Sequence, residues 1–193
     1  MFKRIILITI FLLSFSTQSQ AVSTSSDAEK TNSEWLQNQF FNAARAGNTE
    51  ILKTFAAAGV DLNVQDHKGY SALILSAYNG RRAAVDFLLA EGASACIEDK
   101  RGNTALMGAI FKGELKIAHT LMQQDCDPNQ ANKAGQTAAM FAALFGKQDL
   151  LSQLRSNGAS LTQLDQRGNS VKSLAQQQGN IGLLEHLENE QVK

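Results

Sequence analysis

Three histidines, two cysteines and one acidic cluster are the residues whose types could do chemistry in this chain. His67, His119 and His186 lie far apart, and no pair has the H-x-x-x-H spacing that sets two imidazoles on one helix face for a metal. They read as structural or surface residues. Asp125-Cys126-Asp127 puts two carboxylates around a thiol, but it lacks the carboxylate count and the downstream glutamate of a calcium loop. Two cysteines are too few for a four-thiolate zinc site or a disulfide scaffold. There is no G-x-S-x-G, no phosphate loop and no G-x-G-x-x-G. No catalytic residue, metal ligand or cofactor is assigned, and the chain reads as a non-enzyme.

The elements that must carry any other function come from the composition and its order. The 193 residues are 44% hydrophobic and 19% charged, a globular composition with room for one domain or two small ones. Eighteen basic residues balance eighteen acidic ones, so bulk charge gives no reason to expect nucleic-acid binding. A single proline excludes collagen-like and polyproline chains.

Lys3 and Arg4 precede an apolar run of eleven residues, Ile5 to Phe15. A membrane-spanning helix needs about 20, so the run has the length of a secretory signal's apolar region. Ser19-Gln20-Ala21 places small residues for cleavage after Ala21. Residues 1–21 are therefore expected to be a signal peptide, and the mature chain to have no stable membrane insertion. Losing Lys3 and Arg4 takes the 18 basic residues to 16 against 18 acidic ones, a net charge of −2. Residues 22–33 are rich in Ser and Thr without periodicity and read as a flexible leader. The simple signal and compact size fit a bacterial periplasm, with full secretion as the alternative.

From there the chain repeats. Gly69, Gly102, Gly135 and Gly168 are 33 residues apart, as are Gly47, Gly80, Gly113, Gly146 and Gly179. Gly59, Gly92, Asp125 and Gly158 keep the same step with one substitution. Ser71, Thr104, Thr137 and Ser170 follow the first series by two residues, where a hydroxyl can cap a helix. Seven or eight helical residues are expected next, then a glycine suited to the left-handed turn that ends a helix. Ala84, Val85, Leu88 and Leu89, then Ile117, Ala118, Leu121 and Met122, then Leu150, Leu151 and Leu154 give a second helix with one buried stripe.

Asp66-His67-Lys68-Gly69-Tyr70-Ser71-Ala72-Leu73 and Asp99-Lys100-Arg101-Gly102-Asn103-Thr104-Ala105-Leu106 resemble the D-x-x-G-x-T-P-L opening of the ankyrin repeat. Gly92-Ala93-Ser94 and Gly158-Ala159-Ser160 resemble its closing G-A-D, and Asp61-Leu62-Asn63 and Asp127-Pro128-Asn129 its D-x-N ending. The resemblance covers residues 34 to about 190. It implies an all-α repeat solenoid over 34–193, in five helix-turn-helix units (34–65, 66–98, 99–131, 132–164 and 165–193) with protruding β-turn fingers. Alanine replaces the family's proline at Ala72, Ala105 and Ala138, which gives up a pre-organised first helical residue. Lys172 and Gln176 are polar where interior units are small or apolar, as a terminal unit needs.

The same register places Cys126 with Ala93, at a small inward position, and Cys96 with Asn63 and Asn129 in the turn region. Stacked repeats hold equivalent atoms around 10 Å apart, beyond the roughly 7 Å that a disulfide's Cα atoms allow. Buried free thiols are expected, with a disulfide as the alternative that the three-residue offset leaves open.

The resemblance further implies a binding face made of turn tips and exposed first-helix residues. In this chain that face is His67, Lys68, Tyr70, Lys100, Arg101, Asn103 and Lys133 at the tips, and Tyr78, Asn79, Phe111, Lys112, Leu144 and Phe145 on the helices. Tyr78, Phe111 and Leu144 share one register position and are expected to stack as an apolar stripe beside a basic row of Lys68, Lys100, Arg101, Lys133 and Arg167. Aromatic anchors beside Lys and Arg suit a partner protein with an acidic, partly apolar surface. The expected function is a non-catalytic, exported protein-interaction module, with stress defence as a setting that similar exported proteins suggest. The alternative is an anionic small ligand or cell-wall glycan held by the basic tips.

Overall fold

The computed structural model describes residues 25–189. The signal peptide expected in residues 1–21 lies outside the described residues. Among the described residues ten helices run in consecutive pairs: α1 (Ser25–Ala46) with α2 (Thr49–Ala57), α3 (Ala72–Tyr78) with α4 (Arg82–Ala90), α5 (Ala105–Lys112) with α6 (Leu115–Met122), α7 (Ala138–Leu144) with α8 (Gln148–Ser156), and α9 (Val171–Gln177) with α10 (Ile181–Asn189). The first helices α1, α3, α5, α7 and α9 pack on one another in chain order, and α2, α4, α6 and α8 do the same in a second layer. Among the described residues, extended pairing is confined to isolated bridges such as Gln65 with Ser71 and Glu98 with Thr104. The architecture is an all-α repeat solenoid.

Local chemistry sets these elements. The hydroxyls of Ser71, Thr104, Thr137 and Ser170 accept from the backbone N–H groups of Ile74, Met107, Met140 and Ser173, one cap per first helix. Gly113 ends α5 in the left-handed conformation at φ +76°. The first helices are rich in buried alanine (Ala72, Ala77, Ala105, Ala109, Ala138, Ala142 and Ala143), which lets them approach closely. Larger residues fill the space between the two layers: Leu73, Leu88, Met107, Ile110, Ile117, Met140, Leu150, Leu151 and Leu154 are all buried. Within α3 the buried Ser76 is satisfied: its hydroxyl donates to Ala44 O of the preceding pair at 3.2 Å. Lys172 and Gln176 are exposed on the last pair.

Two expectations need correction. Residues 22–33 do not read throughout as a leader, because α1 is helical from Ser25. Its far end is anchored by buried Phe40, Phe41, Ala43 and Ala44, and a helix nucleated by packing propagates outward at little cost per residue. Positions 32–38, all exposed, ride on that extension.

The cysteines are not free thiols. Cys96 and Cys126 form a disulfide with Cα atoms 5.4 Å apart. The register comparison misleads here because it measures equivalent positions, 33 residues apart, whereas the turns meet at a shorter step. Asn63 Oδ1 accepts from the Ser94 N–H at 2.8 Å, and Asn129 Oδ1 from the Ser160 N–H at 2.7 Å, each 31 residues on. Cys96 occupies the same register position as those asparagines, and Cys126 lies 30 residues on. A covalent bond thus stands at the middle interface where its neighbours have a side-chain hydrogen bond.

Candidate functional site

The turns between helix pairs are built alike. Asp66 Oδ1 accepts from the backbone N–H groups of Lys68 (2.8 Å) and Tyr70 (3.0 Å). Asp99 Oδ1 holds Arg101 and Asn103 in the same way at 2.7 and 2.9 Å. Asn132 Oδ1 holds Ala134 and Gln136, and Asp165 Oδ1 holds Arg167 and Asn169. The Asn169 N–H outweighs burial and keeps the Asp165 carboxyl below its ordinary pKa; the Asn169 amide, the Arg167 N–H and the Arg167 charge act in the same direction.

Successive turns then join edge to edge. Lys100 N–H donates to Lys68 O at 3.0 Å, Lys133 N–H to Arg101 O at 2.8 Å, and Gln166 N–H to Ala134 O at 2.9 Å. Glycine makes this approach possible: at Gly69, with φ +81°, a Cβ would lie 2.5 Å from the Lys100 backbone N. The ladder fixes the spacing of the side chains the turns carry.

Between these turns and the first helices runs a groove of about 710 Å³. Its apolar wall is Ile74, Tyr78, Met107, Gly108, Phe111, Phe141, Leu144 and Phe145, and its polar edge includes Tyr70, Lys100, Arg101, Asn103, Lys133 and Gln136. Tyr78 and Phe111 stack with ring centroids 6.0 Å apart and planes 12° from parallel. Phe111 meets Phe145 edge to face at 5.4 Å. Such ring pairs contribute about 0.5–1.5 kcal/mol beyond their buried area, yet Phe111 remains 49% exposed and Tyr78 42%. The rings are ordered by one another without being covered.

The edge is positive. Lys100, Arg101 and Lys133 have no ion-pair partner among the described residues, where the pairs are Arg45–Asp66, Lys53–Glu50 and Arg82–Asp86. The acid in the groove lining is Asp99, which is buried with its oxygens taken by Arg101 and Asn103. Lys112 Nζ sits over the Tyr78 ring, 5.1 Å from its centroid.

Nine of the thirteen residues expected at the binding face line this groove: Tyr70, Tyr78, Lys100, Arg101, Asn103, Phe111, Lys133, Leu144 and Phe145. His67 and Lys68 are exposed on the first turn outside it. Lys112 is outside the lining, and the Asn79 amide donates back to Leu75 O at 2.8 Å. The stripe differs in one member. Phe145, at the end of α7, continues the ring contacts from Phe111, while Leu144 is half-buried against the core. Phe141 also lines the groove, 6.4 Å from the Phe145 ring. Its place three residues before Leu144 on one helix face was the sequence signal for it. Met107 and Gly108 had no such signal.

Residues 40–132 match the family model described as ankyrin repeats, in three copies. By that match this segment is similar to ankyrin repeats. It runs from α1 to the turn after α6, just under half of the chain, and α7–α10 lie beyond it. Ankyrin repeats generally mediate protein–protein interaction and are typically non-catalytic binding modules. No curated protein matches the chain. Among the described residues no cluster of His, Cys, Asp and Glu could hold a metal ion, and no helix is long and apolar enough to cross a membrane.

Proposed function

We propose that the chain is a non-catalytic protein-interaction module, exported to the periplasm, that holds a partner with an acidic and partly apolar surface in the groove between its turns and first helices. One observation carries this: three exposed rings in contact, Tyr78 stacked on Phe111 and Phe111 edge to face with Phe145, lie beside three basic side chains that have no ion-pair partner among the described residues. Aromatic and arginine anchors in a concave, partly apolar site are what binding hot spots are made of. The units at 34–65, 66–98, 99–131, 132–164 and 165–193 act as five ankyrin-like repeats with projecting turns. The matching caps on α7 and α9 and the ladder from Ala134 to Gln166 support carrying the array past residue 132.

Export is supported by the signal-like start at Met1–Ala21 and by the Cys96–Cys126 bond, since disulfides persist in oxidising compartments. Stress defence is the setting that the resemblance to other exported ankyrin proteins brings. The test is affinity capture from the exported protein fraction with wild type and a Tyr78→Ala, Phe111→Ala, Phe145→Ala variant of unchanged helix content. A protein retained by wild type and lost by the variant is the expected result. Equal retention by both would remove the groove from the function.

A further inference from the structure

One register position on the first helices breaks step with its neighbours. Leu75, Gly108, Phe141 and Leu174 recur every 33 residues, and Gly108 alone has no side chain. The backbone does not ask for glycine there. Gly108 lies inside α5 and is not among the positive-φ glycines, so the helix carries a residue poorer than alanine with no conformational return. Close packing does not ask for it either. A Cβ would meet Tyr78 Cδ2 at 3.6 Å and Tyr78 Cβ at 3.9 Å, both ordinary contacts. What the missing side chain does is deepen the groove between Met107 and Phe111, where Gly108 is part of the lining. A leucine, as at Leu75, or a ring, as at Phe141, would fill that space.

We infer that Gly108 floors an anchor pocket that takes one bulky apolar side chain of the partner protein, seated among Tyr78, Phe111 and Phe141, with the partner's carboxylates beside it facing Lys100, Arg101 and Lys133. This rests on the proposal that the groove binds an acidic, partly apolar protein. Charge complementarity selects the occupant: the edge carries Lys100, Arg101 and Lys133, and its acid, Asp99, is already engaged. The floor suits an apolar side chain, because Gly108 offers no polar group there and the side chains around it are Met107, Tyr78, Phe111 and Phe141. Gly108 is thus a specificity-determining residue, where helix stability is given up for depth.

The test selects phage-displayed random peptides on the full chain, then measures the enriched peptide by fluorescence anisotropy. Expected are sequences with one Leu, Met, Phe or Trp flanked by Asp and Glu. Gly108→Leu should weaken the enriched peptide at least tenfold with the melting temperature unchanged. Should that variant melt early, Gly108→Ala, which meets only ordinary contacts, decides: it should bind several-fold weaker while melting no lower than wild type. Phe111→Ala separates the two claims. If Phe111→Ala loses the peptide and both Gly108 variants keep it, the groove binds and the anchor pocket is refuted. Enrichment of basic or wholly polar peptides, or no enrichment beside binding of polygalacturonate through Lys100, Arg101 and Lys133, would overturn the inference as well.

Discussion

Breaking the Cys96–Cys126 bond should cost the fold up to about 3.6 kcal/mol, from the chain entropy released when a cross-link spanning 30 residues is opened in the unfolded state. The size is a ceiling, since residual structure in the reduced chain lowers it. A second comparison isolates what the bond does in the folded state. At the flanking interfaces the same register positions hold an asparagine and an alanine: Asn63 with Ala93, and Asn129 with Ala159. There the asparagine oxygen accepts from Ser94 or Ser160. A Cys96→Asn, Cys126→Ala variant should therefore regain the interface hydrogen bond, to the Asp127 N–H, and stand about 1 kcal/mol above Cys96→Ser, Cys126→Ser. The assay is urea unfolding followed by far-UV circular dichroism, with and without reductant. Wild type should shift to lower urea on reduction, and both variants should ignore the reductant. Identical curves for reduced and oxidised wild type, or no gap between the two variants, would refute the reasoning.

Three further outcomes are expected. Gly59→Ala and Gly69→Ala both place a side chain at positive φ, but Gly59 has open space around it whereas Gly69 faces the Lys100 backbone; urea unfolding should show a loss of about 1–2 kcal/mol for the first and a clearly larger one for the second. The pKa of Asp165 is lower in the folded state, so its contribution is complete above the unfolded value of about 3.9 and is lost as pH falls through the lower folded value; Asp165→Asn, which copies the amide at Asn132, should flatten that acid limb in a thermal-melt series. Gly108→Ala should raise helix stability by about 0.8–1.0 kcal/mol, seen as a higher melting temperature, because the new methyl meets only ordinary contacts.

What repeats in the chain was legible from it. The hydroxyl caps at Ser71, Thr104, Thr137 and Ser170 and the paired helices follow from spacing alone, because each cap and each buried stripe is local. Most of the groove was legible too, since residues 33 apart on stacked units must line one face. The errors sit where geometry departs from strict register. Phe145 replaces Leu144 in the ring contacts because it follows the last helical residue of α7, outside the helical face that register arithmetic assumes. The disulfide was misjudged because turns meet at steps of 30 and 31 residues. Gly108 was invisible for another reason: its significance is an empty volume, which only the neighbouring Tyr78, Phe111 and Phe141 define.

The most direct test of the groove as the partner-binding face is site-specific photo-cross-linking in the host cell. A photoreactive phenylalanine analogue would replace Phe111 in one protein and Ile181, which is 68% exposed on α10, in another. The account predicts a protein adduct from position 111 and none of that mass from 181. It also predicts that Lys100→Glu with Arg101→Glu abolishes the adduct while the helix content stays native. An adduct common to both positions, or one indifferent to the charge reversal, would contradict it.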